Sequence, residues 1–191
     1  MNLIETQKYQ REKDEQLYLE QNVIEFDYNL VYKILNFRQP EIRKLYRIGR
    51  GEQGVLLVRP YTNIICRNWR FKTPKIAEKS ASTIYHMYRG FRALKDFIGM
   101  DMCRKFLEMG FTRARRYANH RDGKKYKDGK KLPQEKDALT CDKAKSATIF
   151  KRYRDIVTQD KTYIQMRKNW RELENANNNI QKQTNYDIQF S

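Results

Sequence analysis

Polar and apolar positions along this 191-residue chain follow mostly the spacing of helices. The clearest apolar stripe, in which residues recur every three or four positions, runs from Ile76 to Ile98. Thr73 is a suitable N-cap before this stripe, and Pro74 loses no hydrogen bond at a first helical position. The pattern therefore predicts a long helix that begins at Pro74. Gly90 weakens this helix by about 1 kcal/mol relative to Ala, so we expect another element to approach its backbone closely.

The next segment predicts two shorter helices separated by a glycine. The first spans about Asp101 to Met109, with Gly110 as its C-terminal stop. Thr112 is the N-cap candidate of the second helix, which would carry the residues up to His120. Asp101 is expected to cap a helix rather than to bind a metal.

Helical spacing also occurs nearer to both ends of the chain. Apolar residues between positions 27 and 48 predict a helix that Pro40 divides in two. Residues 142–175 have the same spacing, with a break expected near Asp160. We accordingly divide the chain into a polar N-terminal extension (residues 1–27), a basic helical domain (28–174) and an Asn/Gln-rich tail (175–191).

A small β element is predicted between these helices. Residues 54–59 and 61–66 are short runs rich in Val, Leu and Ile, with Pro60 between them, and they are typical of two strands. Glycines at positions 49, 51 and 54 predict a turn before the first strand. The expected fold class is therefore mainly α with a small β element near residues 54–71, in a single compact helical domain.

Charge is the main compositional signal. Forty Lys and Arg residues against 23 Asp and Glu residues give a net charge of +17. Residues 49–131 contain 21 basic and 7 acidic residues, whereas the segment before them is neutral and the segment after them has a net charge of +3. Because such an excess destabilises a compact chain by self-repulsion, it indicates a polyanionic partner. Nucleic acid or an acidic protein surface, such as that of tubulin, would provide one.

The densest group of candidate binding residues is an arginine cluster. Arg113, Arg115 and Arg116 can bind phosphates through their planar guanidinium groups, and a helix N-terminus at this position would add backbone N–H groups. The alternative is that these arginines pair with carboxylates of the same domain, namely Asp96, Asp101 and Glu108.

Two further segments contribute candidates. Turn signals at residues 122–123 and 128–129 bracket an exposed basic loop that contains Lys124 and Lys125. Residues 69–72 alternate aromatic and cationic side chains, which on a strand would place rings and charges on opposite faces. The further anion ligands that we predict are Arg70, Lys72 and His120, and the rings that could stack on bases are Trp69, Phe71 and Tyr117.

No pattern in the sequence indicates a catalytic centre, a metal or a cofactor. His86 and His120 lack an adjacent nucleophile motif, and the three cysteines lack the spacing of a zinc site. The odd number and wide spacing of these cysteines are typical of reduced thiols. The chain has no stretch apolar enough for a membrane span, and its start differs from a secretory signal. A cytoplasmic or nuclear location, which could be cytoskeletal, is expected.

Several ordered motifs resemble those of one family. They are GEQGVL (residues 51–56), WRFKTP (69–74), DFIGMDM (96–102), RKFL (104–107), GFTRARRYANH (110–120) and KY (125–126). Over about residues 28 to 170 the chain resembles the family known only as domain of unknown function 4385, which occurs in bacteria, viruses and some eukaryotes. That family has no established activity, so the resemblance implies no site residues. The polar start and the Asn/Gln-rich tail look like additions to the shared module.

Three functions are compatible with these features. The favoured one is a non-enzymatic module that docks on a polyanion, most simply nucleic acid. The second is a structural subunit of a large assembly with an acidic surface, such as a microtubule-based ciliary or cytoskeletal complex. The third is an enzyme that acts on a phosphorylated substrate, with the arginines as a clamp and His120 or Asp101 as the acid–base group.

Overall fold

The computed structural model describes the backbone of residues 36–189 and the side chains of residues 36–176. This part of the chain is mainly helical with one two-stranded antiparallel sheet, which confirms the predicted fold class. The N-terminal extension and the first part of the helix predicted over residues 27–48 lie outside the described residues. Within residues 36–48 only Pro40–Arg43 is helical, so the rest of that prediction is wrong there. The elements are α1 (Pro40–Arg43), α2 (Tyr61–Cys66), α3 (Pro74–Ala93), α4 (Phe97–Asn119), β1 (Tyr126–Lys127), β2 (Lys130–Lys131), α5 (Asp142–Gln159) and α6 (Lys161–Gln189).

Helix α3 begins where its sequence signals place it. Pro74 is the first helical residue, and the Thr73 hydroxyl accepts a hydrogen bond from the backbone N–H of Ile76 at 3.4 Å. The helix ends at Ala93, before the end of the predicted apolar stripe. Gly90 is exposed, and a Cβ atom there would have no neighbour within 4 Å. The expected close approach of another element at Gly90 is therefore wrong.

Helix α4 is one continuous helix of 23 residues, so the predicted break at Gly110 is wrong. Its N-cap is Asp96, whose carboxylate accepts a backbone hydrogen bond of 3.2 Å, and neither Asp101 nor Thr112 caps a helix. Gly110 instead lies against α5, where a Cβ atom would be 2.3 Å from Cδ1 of Phe150. The missing side chain therefore allows two helices to pack closely, and this long-range contact explains a glycine that local rules interpret as a helix stop.

Helix α4 is the centre of the core. It contacts α2, α3, α5 and α6, and every residue from Phe97 to Leu107 is buried. Aromatic rings fill much of the space around it, since the ring of Phe97 stacks on Trp170 at a centroid distance of 5.0 Å and on Tyr163 at 6.0 Å. Because the first half of α4 is enclosed, only its C-terminal third reaches an extended surface.

The strands predicted between residues 54 and 66 are wrong. The segment before residue 61 forms turns, and α2 follows it. Buried hydrophobic residues in this segment recur at the three- and four-residue spacing of a helix, not with the alternation of a strand: Val55, Val58, Tyr61 and Ile65. The turn expected at the glycines is confirmed, because Gly51 and Gly54 have positive φ angles of 57° and 77°.

The sheet lies instead in the lysine-rich segment after α4. Tyr126 pairs with Lys131 and Lys127 pairs with Lys130, in antiparallel register. Asp128 and Gly129 connect the strands with φ angles of 49° and 75°, and two positive φ angles are the requirement of a type I′ hairpin turn. The turn signal in the sequence is confirmed, whereas the two short strands beside it carry mostly lysines and have no apolar alternation to reveal them.

Helices α5 and α6 are separated at Asp160, as the sequence predicts. The backbone of Asp160 is extended (φ −65°, ψ 118°), and its carboxylate accepts hydrogen bonds from the N–H groups of Thr162 (2.8 Å) and Tyr163 (3.3 Å). Asp160 thus follows one helix and caps the next. The backbone of α6 continues to Gln189 and includes most of the Asn/Gln-rich tail. Within the described residues, no helix has the length and apolar character that crossing a bilayer requires.

Candidate nucleic-acid interface

The arginine cluster lies at the C-terminal end of α4 and not at a helix N-terminus. The last turn of a helix carries partial negative charge on its carbonyl groups, so this position stabilises cations and presents no free N–H groups to an anion. Arg116 lies in that last turn. The expected contribution of backbone N–H groups is therefore wrong, and an anion at this site must be bound by side chains.

The helix divides the cluster between two faces. Arg113 and Arg116 are three positions apart, so they lie on the same side of α4, and both are exposed. Arg115 points about 160° away from Arg113 at 3.6 residues per turn, and it is half-buried. A single partner can therefore contact Arg113 and Arg116 together, but Arg115 faces a different direction.

The carboxylates that could neutralise the cluster bind other side chains. The ion pairs are Asp96 with Arg43 (2.9 Å), Asp101 with Arg104 (2.8 Å) and Glu108 with Arg154 (2.9 Å). Among residues 36–176, the three clustered arginines have neither an ion pair nor a side-chain hydrogen bond. The alternative of internal pairing with these three carboxylates is therefore wrong, and the cluster keeps its charge available.

Three aromatic rings form a row beside the C-terminal part of α4. The ring centroids of Trp69 and Phe71 are 5.1 Å apart, and those of Phe71 and Tyr117 are 6.0 Å apart. The indole N–H of Trp69 donates a hydrogen bond to the Phe106 carbonyl (3.1 Å), which fixes that ring against the core. Tyr117 is 40% exposed and is the ring of this row most accessible to a base.

The segment of residues 69–72 connects α2 to α3 without regular structure, so the strand predicted there is wrong. Arg70 and Lys72 are exposed, as expected. Arg70 lines a cleft of about 560 Å³ together with Arg59 and Arg67, and no acidic residue of the described chain lines it. Sequence reasoning missed Arg59 and Arg67 because they flank α2, which the pattern misidentified as a strand.

Lys143 of α5 lies beside the segment of residues 69–72, although no sequence motif identifies it. Its ammonium group donates hydrogen bonds to the carbonyls of Phe71 (3.2 Å) and Lys72 (3.0 Å), and it lies 5.0 Å from the centroid of the Phe71 ring. Burial and the nearby charge of Lys72 lower the pKa of Lys143. These contacts fasten the segment of residues 69–72 to α5 and bring another cation beside the aromatic row.

The hairpin adjoins the same end of α4. A Cβ atom on Gly123 would lie 3.0 Å from the Tyr117 ring, so the chain that leads into β1 packs on that ring. Lys127 and Lys130 stand directly opposite each other, and like charges at such positions destabilise a hairpin. An anion bound near both would remove this repulsion. We call the following exposed residues the basic face: Lys72, Arg113, Arg116, Tyr117, Lys124, Lys125, Lys127, Lys130 and Lys131.

His120, which is also predicted to bind an anion, is only 7% exposed. Its backbone N–H donates to the carbonyl of Arg116 at the end of α4. The side chain lines a cleft of about 360 Å³ to which Lys124 and Lys127 also contribute. This position suits a residue that supports the base of the hairpin better than one that makes the first contact with a polymer.

A second group of charges is buried in the core around Asp101. Its carboxylate accepts hydrogen bonds from the hydroxyls of Tyr46 (2.5 Å) and Tyr163 (2.6 Å) and from Nε of Arg104 (2.8 Å), and Nζ of Lys105 lies 3.6 Å away. Burial raises the pKa of Asp101, but Arg104 and Lys105 outweigh it and hold the pKa well below its usual range. Asp101 is therefore a buried, ionised carboxylate and a poor acid–base group. The spacing of three and four residues to Arg104 and Lys105 is the signal that could have revealed this cluster.

We expect Lys105→Met to stabilise the protein at pH 7 by on the order of 1 kcal/mol, because a lysine whose pKa is lowered by burial costs free energy while it stays charged. Lys105 is fully buried, and this burial lowers its pKa to about 8. Between about pH 8 and 10.5 the unfolded chain therefore binds more protons than the folded one, so the contribution of Lys105 to stability rises with pH. The variant lacks this rise.

Urea denaturation of the wild type and Lys105→Met at pH 7 and pH 9.5 measures the effect. The advantage of the variant should shrink by about 1–2 kcal/mol between the two pH values. Lys79→Met, at an exposed position of α3, is the matched control and should show no such change. A stability difference between wild type and Lys105→Met that is independent of pH would contradict the lowered pKa of Lys105 in the folded protein.

The fold and these charge clusters define a small, basic, mainly helical domain. The sequence profile of the family Domain of unknown function (DUF4385) matches residues 27–173, and the chain belongs to this family. No curated protein and no solved structure matches the chain. In the described residues, no group of three or more His, Cys, Asp or Glu side chains could hold a metal ion.

Proposed function

We propose that the protein is a non-enzymatic module that binds nucleic acid through the basic face. The observation that carries this proposal is the pair of exposed arginines, Arg113 and Arg116, beside the exposed ring of Tyr117. Neither arginine has a carboxylate partner in the described residues. Guanidinium groups bind phosphate oxygens with two parallel hydrogen bonds, and an aromatic ring can stack on any base. Nucleic acid presents phosphates and bases side by side, whereas an acidic protein surface does not.

The hairpin lysines enlarge the surface that phosphates can reach. Each phosphate that a cation neutralises releases counterions, so affinity falls as the salt concentration rises. Two arginines, three hairpin lysines and the two lysines just before the hairpin contribute seven such cations. If all seven contact phosphates of a duplex, the logarithm of the binding constant falls with the logarithm of the salt concentration at a slope of about −6. A strong salt dependence is thus the first expected signature.

Fluorescence anisotropy with labelled RNA and DNA of mixed sequence, between about 50 and 300 mM KCl, tests the proposal. We expect the double variant Arg113→Gln/Arg116→Gln to bind at least about tenfold more weakly and to reduce the magnitude of the salt slope by about 2. The matched control is Lys79→Gln/Arg89→Gln, which removes the same charge from exposed positions of α3. Its affinity should stay within about twofold of the wild type.

Two results would contradict the proposal. Equal losses of affinity in the two double variants would show that net charge alone attracts nucleic acid, without a defined basic face. Absence of binding at low salt would reject nucleic acid as the partner. Sedimentation with microtubules combined with that absence would favour the structural subunit of a microtubule-based assembly instead.

A further inference from the structure

We propose that a cleft at the junction of α4, α5 and α6 binds a phosphate group, either free or as a monoester. The cleft has a volume of about 370 Å³ and is lined by Arg104, Thr158, Tyr163, Ile164 and Arg167. Arg104 lies nine positions before the first arginine of the basic face, which corresponds to about 14 Å along the axis of α4. The site is therefore separate from the basic face and does not depend on the proposed function.

The charges beside this cleft do not balance. Within the described residues, Asp101 is the one carboxylate in contact with Arg104 (2.8 Å), Lys105 (3.6 Å) and Arg167 (3.7 Å). Three cations around one carboxylate leave an excess of two positive charges. The two oxygens of Asp101 already accept hydrogen bonds from two tyrosine hydroxyls and from Arg104. A phosphate dianion in the cleft would balance this excess, which Asp101 alone does not.

Arg104 has a hydrogen-bond donor without an acceptor. Its Nε donates to Asp101 (2.8 Å) and its Nη1 donates to the carbonyl of Gly51 (3.0 Å), so the plane of the guanidinium group is fixed. Its Nη2 is buried and has no hydrogen-bond partner among the described residues. The residue as a whole is 8% exposed. Burial of an unpaired donor is destabilising, so the protein leaves the charge of Arg104 incompletely satisfied.

Arg167 provides a second guanidinium group from α6. Its Nη1 lies 3.5 Å from the hydroxyl oxygen of Tyr163, and its side chain is 36% exposed. One arginine is thus fixed in the wall of the cleft, and the other lies at its mouth with donors free for a ligand. Ile164 is 51% exposed and adds an apolar part to the lining, against which the organic part of a phosphate monoester can pack.

Isothermal titration calorimetry of the full chain tests the site, with inorganic phosphate as the probe and KCl adjusted to keep the ionic strength constant. We expect one saturable site in the wild type. Arg167→Gln should weaken phosphate binding at least about tenfold, because one of two charge-assisted contacts is lost. Lys168→Gln, at an exposed position next to it on α6, removes the same charge and should change the affinity less than about twofold. Circular dichroism verifies that both variants are folded.

The remaining outcomes separate this site from the basic face. The double variant Arg113→Gln/Arg116→Gln should retain phosphate binding, and a loss of binding in that variant would overturn the inference. Absence of saturable phosphate binding in the wild type, or equal losses in Arg167→Gln and Lys168→Gln, would overturn it as well. A parallel titration with glycerol 3-phosphate distinguishes the two sources of the group, since tighter binding than that of inorganic phosphate would support a monoester, and equal or weaker binding would support free phosphate.

Discussion

Asp101→Asn is expected to lower the free energy of unfolding by about 3–5 kcal/mol. The substitution keeps the size of the side chain but removes the negative charge that compensates Arg104 and Lys105. Arg104 would then remain charged in the core without an anion, because an arginine does not lose its proton to escape this. The hydroxyls of Tyr46 and Tyr163 donate to different oxygens of the Asp101 carboxylate. An asparagine has only one such oxygen, so one of the two hydroxyls would also lose its acceptor.

Urea denaturation at pH 7 measures this loss. The control is Glu41→Gln, which removes a carboxylate from an exposed ion pair with Lys44 (2.9 Å) and should cost less than about 1 kcal/mol. Similar losses for the two variants would show that Asp101 contributes no more than a surface charge.

The difference in stability between the wild type and Asp101→Asn should depend on pH. The folded-state pKa of Asp101 lies below its unfolded value, so its charge stabilises the fold above about pH 4 and this contribution is lost as the pH falls further. Asp101→Asn has no such group, and the difference in stability between the two proteins should therefore narrow towards low pH.

Gly110→Ala is expected to destabilise the protein by about 3 kcal/mol, although alanine is the better helix former. The added Cβ atom would lie 2.3 Å from Cδ1 and 2.6 Å from Cγ of Phe150. Cγ is the ring atom nearest the backbone, so rotation of the ring cannot relieve this contact. Helices α4 and α5 must then move apart at a position where Phe150 is fully buried. Urea denaturation gives the change in the free energy of unfolding.

Gly90→Ala is the matched substitution on α3 and should have the opposite sign. A Cβ atom at Gly90 meets no atom within 4 Å, so only the gain in helix propensity remains, which amounts to about 0.5–1 kcal/mol of added stability. If both alanine variants changed stability in the same direction, close packing at Gly110 would not be the reason for its glycine.

Elements that are specified by adjacent residues could be predicted from the sequence. Thr73 and Pro74 mark the start of α3, and Asp160 marks the break between α5 and α6, because an N-cap acts on N–H groups within a few residues. The continuity of α4 could not be predicted in this way. The glycine at position 110 is explained by its contact with Phe150, forty residues later in the chain. Rules that consider only neighbouring residues cannot detect such a contact.

For the candidate interface as well, some features could be predicted from the sequence and others could not. The arginines at positions 113 and 116 were identifiable as available cations because they stand in a dense basic motif. The directions in which the three arginine side chains point could not be predicted. The position of Arg115 on another face follows only once α4 is known to be continuous. Lys143 reaches the aromatic row from another helix, and no spacing within the motif could include it. Whether the predicted residues bind nucleic acid stays a prediction.

Helix α4 runs without interruption from the enclosed core to the basic face. Its amide groups near Asp101 should exchange with solvent only when the whole domain unfolds, because that stretch is buried on all sides. Arg113 and Arg116 are therefore mounted on a rigid backbone, whereas the basic arms of many polyanion-binding proteins must first become ordered. Little backbone entropy is lost when a ligand meets such preorganised side chains, so a small number of contacts can give useful affinity.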